Sequence, residues 1–573
     1  MEKQEEPPEE NQNNNQNISN KENPRQKKSL LKSGIVLSLM TFASRIMGLI
    51  REMTKASFLG TSMYADAFAT AFQIPNLLRR LFAENAISVA FIPTFKDYLE
   101  QGNKEGADKE LKKKETQEFL KATFTLVSFL TACVVIIGII ITPLLMPLFC
   151  KKPVDTQALN YLEQLDFWMQ QKEVITLLTR IMFPYLFVIS IAAFFQGILN
   201  GCKIFAPSGF TPVLFNGTVI AATYIFASRS NDPSVAAKAM SFGVVAGGCI
   251  QALFQLPFVL KTGWKVGFTS LRKTFTNPGT RKVMSLIVPT IIGMAAYQLN
   301  DLVSTSMAMR TGEGIASSLQ YSLRLQELIL GIFAVSIGTV ILPDLSGLAS
   351  RKEWDDFNKM LIMAIKIIIV ITIPVTFYSI VHGRELICLL YQNKMFDEES
   401  VKLTLGEFRF HIAGLLFIAA NRIISPAFYA QGNTKLPTLA GIISFASNII
   451  LVLILSKPMS GNGIALALSV ASFINTVFLF IFMKKLNSFE VKTVIKASLL
   501  YMLKITALSL IAAVPCYFMR PVLLHLFEGH GRLVSQGMPV LISAVAFAVI
   551  GVVLLIITKD PVVGIVSKKL RKK

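Results

Sequence analysis

Charge is scarce in this chain. Only 16% of its 573 residues are Asp, Glu, Lys or Arg, while 52% are hydrophobic. An ordinary soluble domain carries about 25% charged residues, so that class is excluded. Cysteine is scarce too: six residues, at 133, 150, 202, 249, 388 and 516, with no C-x-x-C spacing. That spread excludes a disulfide scaffold or a thiolate metal site and reads as inert thiols in apolar segments. The four histidines form no ligand cluster. No G-x-x-x-x-G-K-[ST] phosphate loop and no soluble nucleotide-binding domain is found, which excludes an ATP-driven engine. The first 30 residues are polar and lead into no short apolar core with a small-residue cleavage site, so no cleavable signal is expected.

Long apolar runs are abundant instead. Many reach about 18 residues or more, enough for about 30 Å of hydrocarbon, whereas a membrane barrel would alternate in segments of about 10. The fold class is therefore an all-α polytopic membrane protein. Fourteen spans are predicted, at 31–58, 63–95, 117–149, 174–200, 207–227, 235–260, 282–309, 316–348, 357–382, 403–430, 436–456, 461–483, 495–518 and 535–558. Residues 1–29, rich in Glu, Asn and Gln, cannot bury enough surface to offset their ordering entropy and are expected to form a disordered cytoplasmic tail.

The net charge of +21 does not point to nucleic acid, because the basic residues sit in short loops between apolar runs, as orientation signals and lipid-surface contacts do. Loop 96–114 has six Lys, 261–282 six Lys and Arg, 484–496 four Lys, and 559–573 six Lys and Arg; loop 59–65 has none and 228–234 only Arg229. All the basic loops fall on the side of the N-terminus, so both termini are expected in the cytoplasm. A faint repeat relates "ISVAFIPTFKDYLE" (87–100) to "IGTVILPDLSGLAS" (337–350), with Pro93 and Pro343 matched. It suggests two six-helix lobes around a central cavity: an N-lobe at 30–262, a C-lobe at 263–486, and two further spans with a basic C-terminus at 487–573.

Polar residues interrupt the spans at particular places. The first holds Ser44, Arg45, Arg51 and Glu52. With Ile35 near the inner boundary, Arg45 lies about 15 Å in, at mid-membrane, and Arg51 about 24 Å in, where snorkelling toward the outer side is a second reading. The second span holds Asp66, Gln73, Asn76, Arg79, Arg80 and Glu84; helical spacing puts Asp66, Gln73, Arg80 and Glu84 on one face, with Pro75 expected to bend the helix between them. In the eighth, Ser317, Gln320, Arg324 and Glu327 share an arc of about 80°. A charge at mid-membrane costs at least about 2.5–3.5 kcal/mol and normally faces a partner or a cavity. Pairing accounts for Arg80 with Glu84 at i,i+4, and is an alternative for Arg324 with Glu327 at i,i+3. Four arginines from three spans, Arg45, Arg51, Arg79 and Arg324, exceed the acids near them. Surplus guanidinium in a wet cavity suits a phosphorylated, amphiphilic anion, because its planar fork donates two parallel hydrogen bonds. Transport would be secondary, driven by an ion gradient or the membrane potential. Asn300 and Asp301 are candidate cation (Na+) ligands, or a polar pair lining the cavity without an ion.

The runs "SRIMGLIRE" (44–52), "DAFATAFQIPNLLRRLFAENAISVAFIP" (66–93), "YSLRLQELILGIFAVSIGTVILP" (321–343) and "FYAQGNTKLPT" (428–438) closely resemble the MurJ/MviN family of lipid II flippases, in the multidrug/oligosaccharidyl-lipid/polysaccharide exporter superfamily. The resemblance implies two six-helix lobes, two extra C-terminal helices, and lipid II, an undecaprenyl-diphosphate-linked peptidoglycan precursor, as substrate. It implies cavity arginines at Arg45, Arg51, Arg79 and Arg324, with Ser44, Asp66, Asn76, Ser317 and Glu327 as further cavity positions. It also implies the bacterial inner membrane, membrane lipids and the cell-wall synthesis machinery as surroundings, and a transporter rather than an enzyme. In family members with a sodium site the seventh-span acid would fall nearer Ser304 than Asp301, and the acid after the second arginine, commonly Asp in the family, is Glu52 here. A flippase for another polyprenyl-diphosphate glycan, a cation-coupled drug exporter of the same fold and a non-transporting scaffold are the rival readings; the arginine surplus disfavours the drug exporter.

Overall fold

The computed structural model describes residues 24–85, 87–102, 104, 108–153 and 160–564. These residues hold helices and no strand. The first half contains α1 (Pro24–Leu59), α2 (Met63–Leu78), two π-helical turns (Arg79–Asn85 and Ile87–Phe91), α3 (Ile92–Gly102), α4 (Lys109–Leu145), α5 (Tyr161–Met182), α6 (Pro184–Gly201), α7 (Ala206–Ala227) and α8 (Pro233–Lys261). The second contains the short α9 (Leu271–Thr276), then α10 (Pro278–Thr311), α11 (Ile315–Ser350), α12 (Trp354–Tyr391), α13 (Glu398–Ala413), α14 (Leu415–Tyr429), α15 (Lys435–Met459) and α16 (Gly461–Met483). The chain then runs through α17 (Val491–Leu526), α18 (Arg532–Ser535) and α19 (Gly537–Ile557).

A helix, or two stacked end to end, follows each of the fourteen predicted apolar runs. Ten of these rods are long and apolar enough, among the described residues, to cross a membrane. The other four are α1, α2–α3, α10 and α11, the rods whose polar residues build the site below. Helix α1 already begins at Pro24, so residues 24–29 of the expected disordered tail are helical; residues 1–23 and the last part of the basic C-terminus, 565–573, lie outside the described residues.

Local chemistry sets the helix ends. Asp108 accepts hydrogen bonds from the Glu110 and Leu111 amides at the start of α4, and Asn277 accepts from Thr280 N ahead of Pro278 at the start of α10. Such side chains satisfy amides that have no partner within the helix, and proline at the first position has no amide to satisfy. Pro75 lacks a donor and crowds the preceding turn; the backbone widens into π-helical turns from Arg79 onward. The α10–α11 turn needs glycine at 314, where φ is +79° and a Cβ would press on the Thr61 carbonyl oxygen.

Two large cores hold the rods together. The first is aromatic around Phe91, Phe95, Phe119, Phe124 and Phe194, with Phe91 and Phe194 centroids 4.8 Å apart. The second gathers Tyr321, Phe357, Tyr391, Phe396 and Phe428, with Tyr321 4.3 Å from the Lys55 ammonium. The halves interlock. Val283, Ala308 and Met309 of α10, Ile315 and Ala316 of α11, and Val452, Ile464 and Ala467 of α15–α16 pack into the first core, while Ala56 of α1 packs into the second. A small third cluster (Ala512, Ala513, Cys516, Phe547) fixes α17 to α19 against α12. Large apolar side chains cover the outside, among them Leu144, Ile225, Phe518 and Ile557. A surface of that kind suits lipid rather than water, and the protein is an integral membrane protein.

Candidate functional site

Helices α1, α2, α10 and α11 enclose a cavity of about 300 Å3, backed by His411 of α13 and by Ile464 and Leu468 of α16. Its wall carries Arg51, Glu52 and Lys55 from α1, Arg80 from the first π-helical turn, Asp301 from α10, and Arg324 and Glu327 from α11. Among the described lining residues, lysines and arginines outnumber acids by one. Charges at this depth persist only when paired or hydrated, and the pairs are specific. Arg51 donates to Glu52 Oε1 at 2.7 Å and to Asn216 Oδ1 at 3.1 Å. Lys55, 2% exposed, bridges Glu52 at 2.8 Å, donates to Gln320 at 3.1 Å and sits over Tyr321. Arg80 reaches across to Asp301 and to Gln298, both at 3.3 Å. Arg324 meets Glu327 at 3.3 Å.

The residues expected in the site divide into three groups. Arg51, Asn76, Arg324 and Glu327 line the cavity, and Arg79 lies beside it with its Nε donating to Asn76 Oδ1 at 2.9 Å. Arg45 is not among the described lining residues, and its guanidinium lies against Gly331 of α11; Ser44 is half-buried on α1 outside the described cavity wall. Asp66 and Ser317 are elsewhere, and their expected place in the cavity is corrected. Asp66 is fully buried, and its two carboxylate oxygens accept from Gly314 N at 2.6 Å and Ser317 N at 2.7 Å. It caps α11 from α2, within a seal formed also by Met63 N donating to Glu313 (2.8 Å), Thr61 against Ser400 (2.8 Å) and Tyr321 OH donating to Gly60 O (2.9 Å). The physical reason is the free N-terminus of α11, whose amides attract a carboxylate more strongly than a wet cavity does.

Arg80 has a partner on another helix that spacing within its own span does not show. The i,i+4 spacing pairs it with Glu84, whose side chain lies outside the described residues; among the described residues it pairs with Asp301. Gln73 and Arg80, expected on one face, both line the cavity, although the backbone changes to π-helical turns at Arg79. Lys55 went unremarked, although its i,i+3 spacing from Glu52 was a visible signal. Of the candidate cation ligands, Asn300 Oδ1 accepts from Asn448 at 2.7 Å, and Asp301 Oδ2 faces the Arg80 guanidinium at 3.3 Å. No group of three or more His, Cys, Asp or Glu able to hold a metal occurs among the described residues.

Long lipid-facing helices, two interlocked cores and an ion-paired polar cavity between them define a membrane transporter. Residues 55–529 match the family described as lipid II flippase MurJ. The chain belongs to that family, as the motif resemblance implied. A Treponema pallidum (strain Nichols) protein named a probable lipid II flippase MurJ is 45% identical over 534 residues, covering 93% of this chain and 97% of that one. A solved structure of lipid II flippase MurJ in an inward closed conformation superposes with a TM-score of 0.72 at 26% identity, covering 92% of this chain and all of the other. An inward-facing multidrug resistance MATE family transporter of the MOP superfamily shares the fold, with a TM-score of 0.59 at 12% identity over 81% of this chain and 99% of that one.

Proposed function

We propose that this protein moves lipid II from the inner to the outer leaflet of the bacterial cytoplasmic membrane, by alternating access, to supply peptidoglycan synthesis. The observation that carries this reading is the set of cavity ion pairs. Arg80–Asp301 and Arg324–Glu327 are long, at 3.3 Å, and partly exposed. A diphosphate offers each guanidinium two parallel, shorter hydrogen bonds and competes well for it. Arg45, Arg51, Arg79 and Arg324 are the proposed diphosphate ligands, and Arg80 joins them. The hydrogen-bonded seal around Asp66 would be the outer gate, which must break to release the headgroup. The architecture goes with fourteen spans, both termini in the cytoplasm, two lobes at 30–262 and 263–486, and an appendage at 487–573.

The driving force would be the membrane potential, worth about 2.3 kcal/mol per charge per 100 mV, acting on the cavity charges and the anionic substrate. The test is a strain depleted of its own flippase, with lipid II exposure on the outer leaflet as the readout. Wild-type protein should restore exposure and lose it when the potential is collapsed, and Arg324→Ala at equal expression should restore less than about a tenth of it. Full rescue by Arg324→Ala overturns the anion-site assignment. Exposure of a different polyprenyl-diphosphate glycan, with lipid II unchanged, overturns the substrate.

A further inference from the structure

Helices α1 and α11 cross with a reciprocal contact. A Cβ added at Gly48 of α1 would land on Nη2 of Arg324, and a Cβ added at Gly331 of α11 would land on Nη1 of Arg45. Each helix thus carries one arginine and one glycine toward the other, and each guanidinium lies in the space that the opposite glycine leaves. The pairing runs antiparallel: 45 meets 331 and 48 meets 324. Glycine within a helix costs about 1 kcal/mol relative to alanine and calls for a reason. Close helix approach is the usual one, but here the atoms that fill the space are charged side-chain tips. Gly441 of α15 makes the contrast, since a Cβ there would meet nothing within 4 Å.

We propose that Gly48 and Gly331 are positioning residues for substrate recognition: each is a seat that holds the guanidinium of the facing helix where it meets the diphosphate. The inference rests on the lipid II reading above. Seating fixes two long, rotamer-rich side chains before substrate arrives, so less ordering entropy is lost on binding. It also ties Arg45 and Arg324 to the same crossing, so a slide of α1 along α11 moves both together. A methyl at either glycine displaces only the far end of a flexible side chain. The fold therefore tolerates it, and the loss falls on the arginine's position.

The full-length protein, purified in detergent, tests this with Gly48→Ala, Gly331→Ala, Arg324→Ala, the double variant Gly48→Ala/Arg324→Ala, and Gly441→Ala as control. Binding of lipid II and of inorganic diphosphate is titrated, and thermal midpoints are recorded. Gly48→Ala and Gly331→Ala are expected to weaken binding about tenfold, the size of one lost charged hydrogen bond, with midpoints equal to that of Gly441→Ala. The double variant is expected to bind no more weakly than Arg324→Ala alone, because the glycine acts only through that arginine. Unchanged or tighter binding by Gly48→Ala, a lowered midpoint, or multiplicative losses in the double variant overturn the seat. If wild type binds diphosphate but not lipid II, the substrate reading falls and the seat is judged on diphosphate; if it binds neither, both fall.

Discussion

The two polar regions of the membrane interior are built on opposite principles. Around Asp66 every contact is short, buried and made largely to backbone: two α11 amides on one carboxylate, Glu313 on the Met63 amide, Tyr321 on the Gly60 carbonyl. Around Arg80 and Arg324 the contacts are longer, run between side chains and are open to water, with Asp301 and Glu327 about half exposed. Backbone partners cannot rotate away, so the first region is fixed until the helices themselves separate. Side-chain partners exchange readily, and an exposed pair stabilises by only about 0–1 kcal/mol. Polar residues in a membrane chain therefore do two jobs, fastening helices and offering charge to a ligand, and it is the partner that decides which.

The largest stability effect that separates the two regions is Asp66→Ala. It removes the cap of α11 and leaves the Gly314 and Ser317 amides buried without acceptors, at a cost of about 3 kcal/mol. The thermal midpoint of the purified protein should fall clearly, and Asp66→Asn, which keeps one acceptor oxygen, should recover part of the loss. A midpoint unchanged in Asp66→Ala would mean that the seal is not fastened there.

The sequence carried the fold well and the site in part, for a physical reason that Asp66 and Asp301 illustrate. Hydrocarbon demands a saturated backbone, so any long apolar run must be helical, and a helix follows every predicted one. Charge in such a run announces that something pairs with it but not what. Family resemblance makes Asp66 a cavity position, on a helical face with Gln73 and Arg80; its partner is a helix end 248 residues away, which spacing within α2 cannot reveal. Arg80 reaches Asp301, 221 residues away on α10, a partner that spacing within its own span likewise cannot reveal. Arg324 and Glu327 were legible because α11 is regular there and their spacing held.

Intermediate in size is Tyr321→Phe. It keeps the buried ring packed against Tyr391 and Phe396 and over Lys55, but deletes the hydroxyl donated to Gly60 O. The loss should be about 1 kcal/mol, that of one buried hydrogen bond. Because the hydroxyl belongs to the seal and not to the cavity, binding of diphosphate should stay at the wild-type level. A weakened Kd with an unchanged midpoint would assign Tyr321 to the cavity and blur the distinction between the regions.

The smallest stability effect should come from the cavity itself. Exchanging the partners, Arg80→Asp with Asp301→Arg, keeps a pair of opposite charges across α10 and the π-helical turn, and neither partner is buried. The midpoint should stay within the equivalent of about 0.5 kcal/mol of wild type, since the pair contributes little to begin with. Lipid II exposure should nevertheless remain below wild type, because the cation now projects from α10 and no longer lies beside Arg79 and Asn76. Rescue of both stability and transport by the exchange would make Arg80–Asp301 a structural strut like Asp66. Rescue of stability alone marks it as charge held ready for a ligand.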